Sequence, residues 1–409
     1  MAGQLREGDV NDAMAADASV SPDEIGPRDF LLTGPDTLVG RYLRRFWHPV
    51  YLSRDLKAGR AAPVKIMNED FTLYRGESGA AQALAARCAH RCTQLSTGWV
   101  EEDAIRCFYH GWKFDRSGQC IEAPAEREGF ASTVQIRSYS TREYLGLVFV
   151  FFGDGEPPAL PRYKRFEQDG VLSASSYLRD CNYYNNLESN MDSLHTAFVH
   201  RSSAFTTHGL NRSLPEISGE ETEYGILKHG KRHDGVVRDA PFFWPNALYI
   251  KSSPEEGDAD VWADHIGWRV PIDDCHHISF TVNHVALFGE NAERYRERQR
   301  QRSAKRASLS DPRQIAQSVL RGEFHVDEFR DRPDIVNIQD YVAQVGQGAV
   351  PAFDNERLGR SDVLVALFRR IFARELKAFS EGRPLKNWTI SDEAVASTGV
   401  ADAGVAGTG

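Results

Sequence analysis

Two short segments, each of which pairs a cysteine with a histidine, constrain this 409-residue chain more than any other feature. Cys88 and His90 form a C-x-H segment. After sixteen intervening residues, Cys107 and His110 form a C-x-x-H segment that Gly-Trp follows. A [2Fe–2S] cluster with mixed ligands needs this arrangement, because two thiolates bind one iron and two imidazoles bind the other. The sequence therefore predicts two ligand loops around one cluster.

A structural zinc site is the main alternative, because it uses the same ligand types in a tetrahedral shell. Zinc sites usually place two cysteines together, whereas each half here pairs a cysteine with a histidine. The chain has six cysteines, which are too few and too scattered for a disulfide framework. The pattern favours a cluster over zinc, and over four unrelated residues.

Composition argues against several other classes of protein. The net charge of −9 and the pI near 5.8 give no electrostatic footprint for nucleic acid or for an anionic membrane. The longest strongly apolar run, Tyr144–Phe152, is far shorter than the ~20 residues that cross a bilayer, and it is typical of a buried strand. Residues 1–18 lack the order of a secretory signal. We therefore expect a cytoplasmic protein with neither a nucleic-acid nor a membrane partner.

The chain divides where its patterns change. Short β-branched and aromatic runs between residues 47 and 152 indicate a small antiparallel β domain, and Gly153–Pro161 breaks this pattern. Strand-like alternation beyond the break, with a closing amphipathic helix, indicates a mixed α+β domain. We predict five parts: a mobile N-terminal segment (1–27), a helical part that packs on the second domain (28–46), the β domain (47–160), the α+β domain (161–388) and a disordered tail (389–409).

One predicted helix in the second domain carries an unusual concentration of Asn, Glu, Asp and His. Glu188, Asp192 and His195 are separated by four and three residues, so on a helix they share one face. His200 joins His195 at one metal only if the helix ends, bends or carries a π-type irregularity, and we predict a distortion at Thr196–Val199. Two imidazoles and a carboxylate form the facial triad of non-haem Fe(II) enzymes. The alternative is a polar helix face whose histidines are satisfied by hydrogen bonds.

The first pair of segments resembles the Rieske domain of the ring-hydroxylating oxygenases, which place C-x-H and C-x-x-H-G-W in two hairpin loops. The resemblance implies a Rieske [2Fe–2S] cluster with four ligands: Cys88, His90, Cys107 and His110. It implies an α+β chain in which an N-terminal all-β Rieske domain precedes a C-terminal helix-grip (START-like) catalytic domain with an antiparallel sheet and helices. Ala89 and Cys92 depart from the family, which often has Pro and Gly there, and we expect Cys92 to be a small buried filler.

The second set resembles the E-x-x-x-D-x-x-H-x-x-x-x-H signature of the same family. The resemblance implies that His195 and His200 bind a mononuclear Fe(II). It gives Asp192 a separate task, which is to connect His195 by hydrogen bonds to the cluster ligand His110 of a neighbouring subunit. The expected assembly is therefore a homotrimer or a stacked hexamer.

The third iron ligand is a carboxylate further along the chain, and spacing does not choose among four aspartates: Asp331, Asp334, Asp340 and Asp354. Asp340 lies roughly opposite the apolar face of its helix, which by itself is typical of a solvated residue. We choose Asp340 because residues 337–340, Asn-Ile-Gln-Asp, resemble the N-x-Q-D segment of the family.

The resemblance extends from about Asp29 to Trp388 and implies the terminal oxygenase of a two-component Rieske aromatic oxygenase. Such an enzyme uses O₂ and NADH-derived electrons, which a flavin and [2Fe–2S] reductase delivers. This chain has no glycine-rich nucleotide fingerprint, so the reductase is a separate protein. A non-catalytic Rieske electron carrier or sensor is the alternative of a different class, and it predicts one pool of iron only.

The chain resembles the phthalate-type branch, which implies an aromatic carboxylate as the substrate. A cationic clamp suits a carboxylate, and Lys228, Lys231 and Arg232 are candidates for it, with Ser193 as a further contact. Aromatic residues are candidates for a pocket that takes two rings: Phe198, Phe205, Phe242, Phe243 and Trp244. We favour angular dioxygenation and ether cleavage of a phenoxybenzoate, a diaryl ether. Aryl O-demethylation and phthalate-type cis-dihydroxylation are the alternatives.

Overall fold

The first third of the chain forms two antiparallel sheets. The computed structural model describes residues 25–202, 214–231, 237–252 and 261–390. Six strands form the larger of these two sheets: β1 (Trp47–Leu52), β2 (Arg60–Ile66), β3 (Glu69–Arg75), β4 (Ala81–Ala85), β9 (Ser138–Tyr144) and β10 (Leu147–Phe151). Their spatial order is β1-β10-β9-β4-β3-β2. All five residues of β10 are buried, so the prediction of a buried strand in this apolar run is confirmed.

A small four-stranded sheet supports the loops that contain the two cysteine–histidine segments. Its four strands follow in chain order: β5 (Trp99–Glu101), β6 (Ala104–Arg106), β7 (Lys113–Phe114) and β8 (Cys120–Glu122). The first segment lies between β4 and β5, and the second lies in the turn between β6 and β7. Both segments therefore sit in loops that short strands hold in place.

The second domain is built on one antiparallel sheet of seven strands. They are β11 (Val171–Arg179), β12 (Glu216–Glu221), β13 (Gly225–Lys231), β14 (Val237–Phe243), β15 (Ala247–Ser252), β16 (Ala263–Asp273) and β17 (His276–Val285). Their order is β11-β17-β16-β15-β14-β13-β12. The strands predicted from the alternation beyond Gly153–Pro161 are confirmed. In β16, Ile266 and Trp268 are buried in the core, so the residues between and beside them face the opposite side of the sheet.

Helices cover the sheet. They are α1 (Leu38–Leu43), α2 (Tyr183–Met191), α3 (His195–Val199), α4 (Gly289–Ala307), α5 (Pro312–Leu320), α6 (Ile335–Val345) and α7 (Val363–Ser380). The amphipathic α7 buries Phe368 and Phe372 against the rings of Phe242 and Trp244, so the predicted closing helix is confirmed. The charged α4 is largely exposed, as its composition predicts. The all-β first domain and the α+β second domain thus agree with the predicted fold class.

Aromatic contacts join the segments of the chain into one hydrophobic core. The Phe30 ring lies 5.3 Å from the Tyr184 ring of α2, and the Phe149 ring of β10 lies 5.6 Å from the Trp268 ring of β16. Across the part of the chain that the structure describes, no helix combines the length and the apolar character that a bilayer span requires.

Candidate metal centres and substrate cavity

The two cysteine–histidine loops share one backbone geometry. In the first, the Cys92 N–H donates to the Cys88 carbonyl at 3.0 Å, and in the second, the Gly111 N–H donates to the Cys107 carbonyl at 3.1 Å. Cys92 and Gly111 both take a left-handed backbone, with φ of 56° and 76°. Glycine adopts this conformation without strain, which gives a physical reason for glycine at that position in related loops. The expectation that Cys92 is buried is wrong, because the turn places its side chain at the surface.

The four side chains of these loops fit an iron–sulfur cluster. Cys88 and Cys107 are buried, and the His90 and His110 rings lie 4.4 Å apart. Nδ1 of His90 is buried and has no hydrogen-bond partner within the described ranges, which suits an atom that binds iron. Burial, together with the neighbouring Cys107, raises the pKa of Cys88 to about 12, so this thiol ionises only when a cation replaces its proton.

The zinc alternative is disfavoured by the same geometry. Among the residues whose placement is described, one group of three or more ligand side chains is close enough to hold a single ion, and it consists of His195, His200 and Asp340. The ligand atoms of Cys88, His90, Cys107 and His110 do not form such a group. One zinc ion would require all four ligands to bind the same ion.

A helix break places His195. Helix α2 ends at Met191, and the Asp192 carboxylate Oδ1 accepts hydrogen bonds from the backbone N–H groups of Leu194 (2.7 Å) and His195 (3.3 Å). These two hydrogen bonds precede the short helix α3, which ends at Val199. The predicted end of the helix at Thr196–Val199 is confirmed, because α3 ends at Val199, but the sequence missed the break before His195. The chain bends before His195, and the helix simply stops before His200, so Asp192 and His195 do not lie on one helix face.

His195, His200 and Asp340 converge, with their ligand atoms within 4.8 Å of one another. His195 Nδ1 lies 2.6 Å from the Asp192 carbonyl oxygen, and His200 Nδ1 lies 3.0 Å from Oε1 of Gln339. Both oxygens are acceptors, so each Nδ1 donates a hydrogen and each Nε2 is turned towards Asp340. The Nε2 atoms of His195 and His200 lie 4.0 and 3.2 Å from Asp340 Oδ1. Two imidazole lone pairs and a carboxylate suit a divalent iron ion.

Electrostatics favour a cation at this point. Burial lowers the pKa of His195. Burial also opposes a charge on His200, but its hydrogen bond to Asp340 outweighs burial and raises the pKa of His200. Conversely, burial opposes the negative charge of Asp340, and the contact with His200 nevertheless lowers the Asp340 pKa. The carboxylate is therefore held ionised beside two nitrogen donors.

Helix α6 turns Asp340 towards the cavity instead of towards bulk solvent. Arg179, at the end of β11, donates to the Asn337 carbonyl (3.2 Å) and to Gln344 Oε1 (3.1 Å), which fixes the rotation of the helix. Asp334 pairs with Arg332, and the two remaining candidates, Asp331 and Asp354, lie outside the group. Asp340 alone of the four joins the two histidines.

Glu188 has a different environment from its neighbours in the motif. It forms an ion pair with Arg369 of α7, with Nη2 to Oε2 at 2.8 Å, and Arg369 also binds Glu356. Burial raises the pKa of Glu188 against the opposing effect of Arg369. The pair fastens α2 to α7, so Glu188 supports the helix and does not face the metal group.

A cavity of about 810 Å³ lies beside the metal group, lined by residues of the seven-stranded sheet and of α2, α3 and α6. Three cationic side chains on its wall are buried: Arg179, Lys228 and Arg269. Within the described ranges, none of the three has a carboxylate at ion-pair distance; their hydrogen-bond partners are amide and carbonyl oxygens. These three cations therefore have no ion pair of their own, although carboxylates, among them Asp192 and Asp340, line the same cavity.

The predicted substrate residues have different positions. Lys228 and Ser193 line the cavity, whereas Lys231 is exposed at the end of β13. Arg232 and Phe205 lie outside the described residues. The other aromatic candidates do not line the cavity: Phe242, Phe243 and Trp244 are buried in the core, and Phe198 is 63% exposed. The expectation of an aromatic pocket built from these four residues is wrong, because their strand and helix faces point away from the cavity.

Sequence reasoning missed several residues that the cavity contains. Arg269 and His265 face it from β16, and Gln339 holds His200. The strand alternation carried a signal for the first two, since buried Ile266 and Trp268 place residues 265, 267 and 269 on the other face. Arg179 has no local signal, because its importance depends on a helix more than 150 residues away.

These observations define a metalloprotein with a cluster-binding β domain and a separate mononuclear metal group beside a cavity. The sequence profile of the Rieske [2Fe-2S] domain matches residues 46–140. The 5,5'-dehydrodivanillate O-demethylase oxygenase subunit of Sphingobium sp. is 30% identical over 369 residues, which is 86% of this chain and 80% of that protein. The phenoxybenzoate dioxygenase subunit alpha of Ectopseudomonas oleovorans is 32% identical over 372 residues, which is 85% of this chain and 83% of that protein.

The fold agrees with these matches. The terminal oxygenase of carbazole 1,9a-dioxygenase from Novosphingobium sp. KA1 superposes with a TM-score of 0.64 at 20% identity, covering 85% of this chain and 95% of that one. The chain belongs to the Rieske non-haem iron oxygenases, as an oxygenase subunit. Its cofactors are a Rieske [2Fe–2S] cluster and a mononuclear iron.

Proposed function

We propose that this chain is the terminal oxygenase of a two-component system that hydroxylates an aromatic carboxylate with O₂ and NADH-derived electrons. The observation that carries the proposal is the position of His195, His200 and Asp340, which line one cavity large enough for an organic molecule. When bound, the mononuclear iron supplies oxygen activation and the Rieske cluster supplies single electrons.

In this proposal the side chains hold and orient the two centres. The cluster ligands are Cys88, His90, Cys107 and His110, and the iron ligands are His195, His200 and Asp340. The buried Nδ1 of His90, which has no hydrogen-bond partner in the described ranges, supports the first set, and the convergence of the two histidines on Asp340 supports the second. Gln339 and the Asp192 carbonyl bind Nδ1 of His200 and of His195, which orients both rings with Nε2 towards Asp340.

The cationic wall supports an anionic substrate. A buried charge without a partner is costly, and a bound carboxylate offsets that cost. Arg269 has one buried nitrogen, Nη1, without a hydrogen-bond partner inside the described part of the chain, and arginine binds carboxylates through two parallel hydrogen bonds. Lys228 lines the same cavity, and Ser193 lines it next to the metal group. We assign substrate contacts to these three residues, whereas Arg232 remains a prediction from the sequence.

A second copy of the chain completes the electron path in this proposal. The loop that carries His110 exposes Phe108 (60%) and Tyr109 (53%), which is a large apolar surface for a monomer. Asp192 is about one third exposed, and its Oδ2 is free of the bonds that hold Oδ1. We assign to Asp192 the hydrogen-bonded bridge between His195 and the neighbour's His110, in a homotrimer or a stacked hexamer. An NADH-dependent flavin and [2Fe–2S] reductase is the proposed electron donor.

Two outcomes for the aromatic acid are favoured by separate observations. The volume of the cavity and the 32% identity to a phenoxybenzoate dioxygenase subunit support cleavage of a diaryl ether. The 30% identity to an O-demethylase subunit supports demethylation of a methoxy-substituted acid. Both reactions begin with the same cofactors and the same anionic anchor, and they differ in the part of the substrate that lies beside the iron.

An oxygen-uptake screen tests the proposed function. The purified protein, a compatible reductase and NADH are mixed with 3-phenoxybenzoate, 4-hydroxy-3-methoxybenzoate or phthalate, and the products are identified. We expect uptake with at least one acid and none with a neutral analogue in which a methyl group replaces the carboxylate. No substrate-dependent uptake with any acid contradicts the proposal.

A matched pair of variants assigns the activity to the metal group. His195→Ala is expected to abolish oxygenation while the visible spectrum of the cluster is kept. His276→Ala is the control, because His276 pairs with Asp273 and neither residue lines the cavity. A non-catalytic electron carrier, the alternative of a different class, contains cluster iron only and shows no substrate-dependent uptake.

A further inference from the structure

His265 faces the substrate cavity from the middle of β16. It stands two residues before Gly267 and four before Arg269, so all three lie on the same side of the strand, and His265 and Arg269 line the cavity. Its neighbour across the sheet in β17 is Asn283. The function proposed above gives His265 no task, although it is a polar group inside the proposed substrate site.

The hydrogen bond to Asn283 fixes the tautomer of His265. Nδ1 of the ring lies 2.8 Å from the carboxamide oxygen Oδ1 of Asn283. An amide oxygen only accepts hydrogen bonds, so Nδ1 must carry the proton. Burial, together with the charge of Arg269, lowers the pKa of His265 to about 4. The ring is therefore neutral at pH 7, and Nε2 presents a lone pair.

Nε2 of His265 makes no hydrogen bond to any residue that the structure describes. A lone pair on the wall of a cavity favours a ligand group that carries a hydrogen, such as a hydroxyl. An ether oxygen or a carboxylate at the same place has no hydrogen to donate. Two acceptors would then face each other, and neither would form a hydrogen bond. The site thus discriminates between an acid with a hydroxyl and the same acid without one.

The position of Arg269 sets the distance between the substrate hydroxyl at His265 and the substrate carboxylate at Arg269. The Arg269 side chain folds back along β16, and its Nη1 lies only 2.5 Å from where a side chain on Gly267 would begin. The guanidinium therefore lies over residue 267, which is about 7 Å along the strand from residue 265. This separation is of the order of one substituted benzene ring.

We propose that His265 accepts a hydrogen bond from a hydroxyl group of the substrate, so that the cavity selects aromatic acids that carry a hydroxyl on the ring as well as a carboxylate. The proposal rests on the function proposed above and narrows its substrate class. It favours demethylation of hydroxylated methoxy acids over cleavage of an unsubstituted diaryl ether.

Binding to the iron-loaded, anaerobic protein without reductase tests the proposal. The probes are 4-hydroxy-3-methoxybenzoate and 3-methoxybenzoate, which differ only in the hydroxyl. We expect the hydroxylated acid to bind about 10- to 100-fold more tightly to the wild-type protein, as loss of a buried hydrogen bond implies. His265→Phe should bring the ratio of the two dissociation constants close to one, because it removes the acceptor.

Three further variants separate this effect from a loss of fold. His265→Gln retains an acceptor oxygen and should keep the preference. Asn283→Asp should raise the His265 pKa, protonate Nε2 and remove the preference. His276→Phe makes the same change as His265→Phe outside the cavity and should leave the ratio unchanged.

The possible results separate the role proposed for His265 from the proposed oxygenase function. If both acids bind equally to the wild-type protein, or if His265→Phe keeps the full preference, the task assigned to His265 is wrong and the proposed oxygenase function stands. If neither acid binds while the cluster spectrum is intact, the assignment of an aromatic acid substrate fails, and the task of His265 fails with it.

Discussion

The charge of Lys228 provides a prediction whose size follows from the structure. The Lys228 side chain is buried and donates to the Asn190 carbonyl. Burial lowers its pKa to about 8, against the opposing effect of Asp192. The ammonium is therefore mostly present at pH 7 and mostly lost at pH 9. If it binds the substrate carboxylate, affinity for an aromatic acid falls about tenfold, or about 1.4 kcal/mol, between these two pH values.

Titration calorimetry of the anaerobic protein measures this change. The ligand is 3-methoxybenzoate, whose carboxylate stays ionised throughout the range. Lys228→Arg keeps its charge at both pH values, so its affinity should not change with pH. The Lys228→Met variant should bind 3-methoxybenzoate weakly at both pH values. Other charged groups face the same cavity, including Arg238, Asp239 and Arg269. If Lys228→Met retains the wild-type pH dependence, one of these groups is responsible and the reasoning about Lys228 is refuted.

Three further predictions concern other parts of the structure. In Gly267→Ala the new methyl group would lie 2.5 Å from Arg269 Nη1, so calorimetry should show weaker acid binding with no change in the unfolding temperature. Gln339→Leu removes the acceptor of His200 Nδ1, and competition with a chelator should show about 10- to 100-fold weaker binding of the mononuclear iron while sulfide content is unchanged. Burial opposes the negative charge of Asp264, but the hydrogen bonds that Asp264 accepts outweigh the effect of burial and lower the pKa of Asp264 to about 2. Its carboxylate therefore contributes about 2 kcal/mol above pH 4, a contribution that is lost as the pH falls towards 2, and Asp264→Asn should lower the free energy of unfolding in urea at pH 7 by about that amount.

The cluster loops and the two histidines were accessible from the sequence because their chemistry is local. A cysteine and a histidine within four residues share one loop whatever the rest of the chain does. The third carboxylate was not determined by spacing, because Asp340 meets the histidines only after α6 is rotated by Arg179 from another part of the fold. Resemblance, not periodicity, selected it.

The substrate wall was harder to predict. Lys228 was chosen from a charge cluster, but Arg269 was missed because a lone arginine in a strand gives no sign that its partners are amides and not carboxylates. The break between α2 and α3 was missed, because the hydrogen bonds from the N–H groups of Leu194 and His195 to the Asp192 side chain compete with continuation of α2. Both errors concern interactions that a helical or strand period does not encode.

The central claim is that one chain holds two iron centres of different kinds. Iron and acid-labile sulfide are counted in anaerobically purified protein before and after mild chelation, with oxygenation measured on the same samples. The account predicts about three irons and about two sulfides per chain, and chelation should remove one iron together with the activity while both sulfides remain. Protein without sulfide, or activity that survives the loss of the labile iron, would contradict it.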